Sequence, residues 1–429
     1  MVVALWMVSA QGLVAQDAAP KLALPSAAQV AWADAEVGMF VHFAPNTWQD
    51  NEYDQLSTPL SALNPKELDT DQWVRVAQSM GAKYLVFVAK HVGGFCWWQT
   101  DTTEYSVKHT PWRDGKGDVM RDLAQSCKKA GIRLGVYLSP ADTKHGIEVG
   151  GRAPTPEKQQ EYIQLFRKQL TELLTLYGDM FEVWFDGNLI FDVSDILQAH
   201  APQAIQFQGP HASIRWVGNE DGIAPYPAWN AVRFGVKKWG DYTAEEGTPD
   251  GDRWLPNECD ARMRNTWFWN TTNAKTLKSV AQLMDMYDRS VGRGAVLLLN
   301  HTPDMSGKIP EADALRAAEF GREVQRRYGT SIADVAGKGL KHQAMPSTPR
   351  TIDCVISMED IAQGERVRRY TIEGLLDSGW KVLAEGTAIG HKKIDKFAPV
   401  QVSAVRLMVH EAAAEPVFKR ISLHDTRPK

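Results

Sequence analysis

The sequence predicts an α/β protein: a (β/α)8 TIM-like barrel followed by a C-terminal antiparallel β-sandwich. Three observations predict it. Strand and helix signals alternate from Gly38 to Tyr328, and alternation implies parallel strands joined by right-handed crossovers. About eight such units over roughly 300 residues is the size of a closed barrel. After Tyr328 the helix signals stop, and short strands with polar turns take over, as in a sandwich.

Taken in order, Gly38-Met-Phe-Val-His-Phe43 reads as the first strand. Pro65 to Met80 reads as a helix, with Asn64 as N-cap and Pro65 in the first turn. Lys83 to Lys90 is the second strand, and Asp118 to Ala130 a helix closed by Gly131. Arg133 to Ser139 is the third strand, and Pro156 to Tyr177 a long helix. Met180 to Phe185 is the fourth strand, Val193 to His200 a helix, and Ala204 to Gln208 a strand. An irregular stretch runs to about Trp269, followed by a helix over Thr276 to Ser290, a strand over Ala295 to Asn300 and a helix over Glu311 to Tyr328. Beyond Met345-Pro-Ser-Thr-Pro349 the predicted strands are Thr351–Ser357, Val367–Glu373, Trp380–Glu385, Gln401–Val409 and Val417–His424. The N-terminus carries an apolar run, Val2 to Ala10, and small residues at Leu13-Val-Ala15, which resemble an export signal without its basic start. The expected division is a signal peptide over 1–15, a barrel over 16–335 and a sandwich over 336–429. The mature protein is expected to be exported, periplasmic or secreted.

Composition narrows the partners. The chain is 44% hydrophobic and 23% charged, with a net charge of −4. That balance fits a large globular core and gives no strong attraction to nucleic acid or anionic membranes. No segment reaches the roughly 20 apolar residues of a membrane span. The four cysteines (96, 127, 259 and 354) have no metal-binding spacing; they leave disulfides undecided, and Cys96 reads as structural. No ligand cluster demands a metal, and no cofactor is called for. The oligomeric state is not legible.

In a barrel of this kind the chemistry sits at the C-terminal ends of the strands. His42 ends the first strand, His91 follows the second, Tyr137 is near the end of the third and Asp186 ends the fourth. Side chains alternate along a strand, so Glu182, Trp184 and Asp186 should face the axis, and Phe181, Val183 and Phe185 the helices. Taken alone, an Asp before Gly is a common turn residue. A polar, aromatic face at the top of four consecutive strands favours chemistry instead. Glu220, in Arg215-Trp-Val-Gly-Asn-Glu220, is the second acidic candidate, with Glu258 and Asp260 as rivals in a similar aromatic setting. Glu245 and Glu246 read as a solvated pair. Two carboxyls converging on one pocket are what glycoside hydrolysis needs. Of the 15 tryptophans, Trp48, Trp97, Trp98 and Trp216 lie in loops or strand ends and are candidates for stacking on sugar rings.

The segments Gly38-Met-Phe-Val-His-Phe43, Ala89-Lys-His-Val-Gly-Gly-Phe95, Gly117-Asp-Val119, Gly135-Val-Tyr-Leu-Ser-Pro140, Val183-Trp-Phe-Asp-Gly187 and Arg215-Trp-Val-Gly-Asn-Glu-Asp-Gly222 together resemble the α-L-fucosidases of glycoside hydrolase family 29. The resemblance spans about residues 30 to 425. The Gly-Asn-Glu segment and Trp254-Leu-Pro-Asn-Glu-Cys-Asp260 look more like the branch acting on α-1,3/4-linked fucose in Lewis-type glycans. By this resemblance Asp186 is the nucleophile and Glu220 the acid/base. His42, His91, Tyr137, Trp184 and Arg215 match positions lining a fucose pocket, and Glu52 aligns nearby. Trp184 and the Trp97/Trp98 pair would meet the sugar methyl or the neighbouring sugar, and Glu258 could bind that neighbour. The implied partner is a fucosylated oligosaccharide or glycoconjugate.

The implied mechanism is retaining. Asp186 attacks the anomeric carbon; Glu220 protonates the leaving oxygen and then activates water. The Asp186 charge and partial burial should favour protonated Glu220, opposed by Arg215 nearby. Two departures stand out. Family members often carry His-His-Asp-Gly-Phe where this chain has His91-Val-Gly-Gly-Phe95, so one sugar contact must come from elsewhere. The loop after Asp186 is short, which opens one rim of the pocket. Two other readings compete: an inactive barrel that binds fucosylated glycans, and a barrel glycosidase for another sugar such as α-galactose.

Overall fold

The structure is a computed structural model that describes residues 22–428 apart from 236 and 238–240. The expected export signal lies outside the described residues. Eight strands form the barrel: β1 (Val37–Val41), β2 (Tyr84–Lys90), β3 (Arg133–Leu138), β4 (Met180–Trp184), β5 (Ile205–Phe207), β6 (Arg215–Trp216), β7 (Asn257–Arg262) and β8 (Val296–His301). They lie in one parallel sheet in the order β5-β4-β3-β2-β1-β8-β7-β6. The seam between β5 and β6 carries the parallel bridge Phe207–Ile214, and Ile214 N–H donates to Gln206 O at 3.3 Å. The barrel is therefore nearly closed.

The helices are α1 (Ala27–Ala33), α2 (Thr70–Ser79), α3 (Val119–Ala130), α4 (Pro156–Leu176), α5 (Ser194–His200), α6 (Val280–Arg289) and α7 (Glu311–Tyr328). The caps explain several boundaries. Asp118 caps α3 through Arg121 N–H, and Gly131 closes it in the left-handed region at φ 69°. The start of α2 differs from expectation: its cap is Asp69, which accepts from Gln72 N–H at 2.9 Å, not Asn64. The eight-unit pattern is also incomplete. Residues 208–214 run straight from β5 into β6. Between β6 and β7 the described residues hold no α-helix, but a ribbon of Ala231–Val232 against Arg253–Trp254 and one 3-10 turn, Ala244–Glu246. Gly and Pro recur through that stretch and disfavour a helix.

Inside the barrel, Phe40, Tyr84, Val86, Val88, Val296 and Leu298 form one buried cluster, while a larger one fills the space between strands and helices. β4 does not alternate strictly. Leu134 pairs with Met180 but Val136 with Val183, so β4 carries one extra residue. This bulge turns Phe181 inward beside Glu182, against the simple alternation. Phe181 meets Tyr84 at 5.1 Å, and Glu182 accepts from Trp32 Nε1 at 2.9 Å. Above the bulge, Val183 and Phe185 join the outer core and Trp184 the inner one.

α7 ends at Tyr328 and the next strand opens at Ala333, a few residues ahead of the expected 335/336 division. The sandwich strands are β9 (Ala333–Lys338), β10 (Lys341–Ala344), β11 (Arg350–Glu359), β12 (Val367–Leu376), β13 (Gly379–Gly386), β14 (Lys393–Val402), β15 (Ala404–Ala412) and β16 (Val417–His424). Two antiparallel sheets, β9-β16-β11-β14 and β10-β15-β12-β13, enclose a core that includes Ile352, Tyr370, Leu407 and Leu423. The segment read as one strand over Gln401–Val409 is two, separated at Ser403. All four cysteines are buried and unpaired. No described helix is long and apolar enough to cross a membrane.

Candidate active site

A cavity of about 410 Å³ opens at the C-terminal ends of the barrel strands. It brings together Asp186, Glu220, His42, His91, Tyr137, Trp184, Trp216 and Glu52, all expected from the sequence. Asp186 follows β4. Its Oδ2 accepts a 2.9 Å hydrogen bond from the Tyr137 hydroxyl. Burial pushes its carboxyl up; Tyr137 and the Gly187 N–H oppose the rise, and the Glu220 charge adds to it. Tyr137 is clamped by rings on both sides, His91 at 5.8 Å and Trp184 at 5.9 Å. Trp184 in turn stacks on Phe207 at 3.5 Å.

His42 shares a hydrogen bond with Asn300 Oδ1 at 2.8 Å, and burial holds its imidazole well below the usual range. Burial likewise lowers His91 to about 3, and its Nδ1 has no hydrogen-bond partner. Both rings are thus neutral near pH 7, suited to hydrogen-bonding hydroxyls rather than anions. Glu52 accepts from Trp267 N–H at 2.9 and 3.1 Å. Burial raises its carboxyl, against the Trp267 N–H and the Arg262 charge.

Glu220 differs from expectation in its surroundings. It is exposed, and its ion-pair partner is Arg262 at 3.3 Å, not Arg215. Asp260 is the more buried acid in the cavity. Its Oδ1 accepts from Trp216 Nε1 at 2.6 Å. Burial raises its carboxyl to about 8, with the Glu220 and Asp186 charges pushing the same way and the Trp216 N–H opposing.

Several expected contacts lie elsewhere. Trp97 and Trp98 are fully buried in the outer core, donating to Phe43 O at 2.6 Å and Glu172 Oε2 at 2.9 Å. Large flat side chains in a loop fill a core as readily as they bind a sugar. Trp48 packs on Phe43 at 5.4 Å, away from the cavity lining. Arg215 is buried under β6 and β7 and bonds Asn257 Oδ1 at 2.6 Å. Glu258 sits beneath the floor, accepting from Trp184 Nε1 at 2.8 Å and the Tyr84 hydroxyl at 3.3 Å. Burial and the neighbouring Glu182 charge raise Glu258 well above the carboxylate range. It supports Trp184 rather than lining the pocket.

The cavity also uses residues that sequence reasoning missed: Tyr53, Arg262 and Trp267. Arg262 lies at the end of β7, a strand hidden in the irregular stretch because Asn257-Glu-Cys-Asp-Ala-Arg262 is polar and yet almost wholly buried. A clue was available, since β7 begins in the very segment whose carboxyls rivalled Glu220. The glycine of the Val92-Gly93 departure, like the adjoining Gly94, packs too closely on its neighbours to admit a side chain. A Cβ on Gly93 would come within 2.3 Å of Asp54 Oδ2, and one on Gly94 within 2.3 Å of Asp142 Oδ1.

A parallel barrel with carboxyls gathered among aromatic rings at the C-terminal strand ends defines a glycoside hydrolase type of site. Comparison with known proteins narrows the class. The sequence model for alpha-L-fucosidase matches residues 31–328. Alpha-L-fucosidase 1 of Arabidopsis thaliana is 32% identical, over 94% of this chain and 88% of that protein. A Bacteroides thetaiotaomicron crystal structure, described as a candidate alpha-L-fucosidase, superposes with a TM-score of 0.90 at 33% identity, covering 95% of this chain and all of that one. A Ruminococcus gnavus family 29 fucosidase solved with fucose gives 0.84 at 26% identity, over 97% and 98% of the two chains. The chain belongs to the α-L-fucosidase family, glycoside hydrolase family 29, and is a glycosidase.

Proposed function

We propose that the protein is a retaining exo-α-L-fucosidase that removes terminal α-1,3/1,4-linked fucose from branched glycans. One observation carries the reading: Asp186, oriented by the Tyr137 hydroxyl, shares a cavity with Glu220. Ionised Asp186 attacks the anomeric carbon as the glycosidic C–O bond breaks, forming a covalent fucosyl ester. Glu220 donates its proton to the leaving oxygen, then takes one from the water that cleaves the ester. The exposure of Glu220 at the cavity mouth suits a group that must reach both the leaving sugar and water. Neutral His42 and His91 hydrogen-bond ring hydroxyls. Glu52 supplies the contact that the Val92-Gly93 variation removes. Trp184, Trp216 and Trp267 offer apolar faces to the deoxysugar and its neighbour.

A second assignment of the proton has its own support. Asp260 carries a buried carboxyl raised to about 8 beside Asp186, and would therefore hold a proton at neutral pH. It is the alternative acid if Glu220 proves dispensable. The residue pattern at 1–15 supports export, so fucosylated glycans outside the cytoplasm are the proposed substrates.

Incubation with fucose-branched Lewis-type trisaccharides, followed by NMR of the first fucose released, tests the proposal. Early α-anomer supports retention, and early β-anomer contradicts it. Failure to cleave these trisaccharides while cleaving α-1,2- or α-1,6-linked fucose would refute the linkage assignment alone.

A further inference from the structure

One of the contacts between sandwich and barrel reaches a buried charge, Glu365 of the sandwich bonding Asn230. Arg215, at the start of β6, is 2% exposed. Its Nε donates to Asn257 Oδ1 at 2.6 Å and its Nη2 to the Trp229 carbonyl, while Nη1 is buried without a hydrogen-bond partner. Both acceptors are neutral, so these contacts do not compensate the charge. Burying a guanidinium uncompensated is costly, and that cost is normally met by a paired or hydrogen-bonded anion. Burial accordingly lowers this guanidinium to about 10, and the largest opposing influence is Glu365 of the sandwich, ahead of Glu246 and Glu245. Burial also raises the Glu365 carboxyl, to about 7, with the Asn230 donors and the Arg368 charge opposing the rise, so Glu365 answers to Arg368 as well as to the relay from Arg215.

The path between the two is continuous. Arg215 Nε–H donates to Asn257 Oδ1, Asn257 Nδ2–H to Asn230 Oδ1 at 3.4 Å, and Asn230 Nδ2–H to Glu365 Oε1 at 2.8 Å. The backbone N–H of Asn230 also donates to Glu365 Oε2, at 3.0 Å. Every donor points from the cation toward the carboxylate, so each amide is polarised in the same sense and strengthens the next bond. Asn257, Asn230 and Glu365 are 0%, 1% and 5% exposed. Gly390 leaves room for the carboxylate, because a Cβ there would come within 2.7 Å of Glu365 Oε1.

We propose that Glu365 is the counter-ion of Arg215, and that through Asn230 and Asn257 the second domain positions the two strands carrying the acidic wall of the active site. Arg215 pairs in register with Asn257, and Trp216 with Glu258. β6 leads into Trp216 and Glu220; β7 carries Asp260 and Arg262. A shift at the first pair of this ladder moves all four relative to Asp186 on the opposite wall. Glu365 touches no substrate; it is a positioning residue. The catalytic part of this inference rests on the fucosidase reading, whereas the charge pairing does not.

The test is a double-mutant cycle in the full chain: Glu365→Gln, Arg215→Met and the double substitution, with Glu411→Gln as a control in an exposed sandwich ion pair. Two readouts are taken. In thermal unfolding, the double variant should lose less stability than the sum of the two single losses. In turnover of a fucosylated trisaccharide, Glu365→Gln should lower kcat at least about tenfold with KM within about twofold, as a misplaced wall costs rate more than binding. The double variant should recover part of that loss, and Glu411→Gln should match wild type. Additive stability losses, or an unchanged kcat in Glu365→Gln, overturn the proposal. If Glu365→Gln fails to fold, Asn230→Asp replaces it: a second carboxylate against Glu365 should lower kcat in the same way, and a variant with wild-type kcat refutes the relay. If the wild type cleaves no fucoside, the functional reading fails while the stability cycle still decides the pairing.

Discussion

The Tyr137 hydroxyl donates a 2.9 Å hydrogen bond to Asp186 Oδ2, joining the ends of β3 and β4. The bond aims the carboxylate and stabilises its ionised form, opposing the rise that burial imposes. Tyr137→Phe removes that stabilisation while keeping the ring between His91 and Trp184. The Asp186 pKa then rises, so the acidic limb of kcat/KM moves to higher pH, and kcat/KM at the optimum falls about tenfold or more. Unchanged limbs would show that Tyr137 is only packing.

Glu220 and Asp260 are separated by leaving-group dependence. A general acid contributes about 10²–10⁴-fold when the leaving group is a poor one. Glu220→Gln is expected to lose about that much on glycans and far less on a fucoside with an activated phenol. If Asp260→Asn shows this signature and Glu220→Gln does not, the proton belongs to Asp260.

The buried Asp260 carboxyl also sets a pH dependence of stability. Its value in the fold is about 8 against 3.8 for the ordinary group. Between those values the folded form holds a proton that the unfolded chain has released, so stability falls as pH rises through that window. Asp260→Asn keeps an acceptor for the Trp216 indole without the charge. Its melting temperature should exceed that of wild type by a few degrees at pH 8 and by little at pH 4. An equal difference at both pH values would contradict this.

Behind His91, the ammonium of Lys90 is fully buried and meets Asp142 at 3.2 Å, the Tyr162 hydroxyl at 3.2 Å and Gln169 at 2.9 Å. Lys90→Met leaves Asp142 buried without its cation, a change that typically costs about 3–5 kcal/mol. Chemical denaturation of Lys90→Met and of Lys90→Met with Asp142→Asn should show most of that loss in the first and partial recovery in the second.

Much of this fold was legible because hydrophobic strands and capped helices leave local signals. Asp118 and Gly131 mark α3 without ambiguity, and the strand ends carrying His42, His91, Tyr137 and Asp186 follow directly from it. Other parts are set by partners distant in sequence. β7 is polar yet buried, so its periodicity is silent; its side chains are satisfied by Trp184, Trp216 and Arg215 from elsewhere. Whether a loop tryptophan stacks on a sugar or fills a core depends on what packs against it, and Trp97 met Phe43 at 4.7 Å. The exchange of Arg215 for Arg262 beside Glu220 has the same origin. Sequence placed an arginine near the acid but could not tell which strand would present it. The bulge in β4, a single inserted residue, reversed Phe181 with no mark in composition.

The most direct measurement is to trap the intermediate. A 2-deoxy-2-fluoro-fucosyl fluoride should inactivate the enzyme with one label per chain, and peptide mass mapping should find it on Asp186. A label on any other residue would contradict the account.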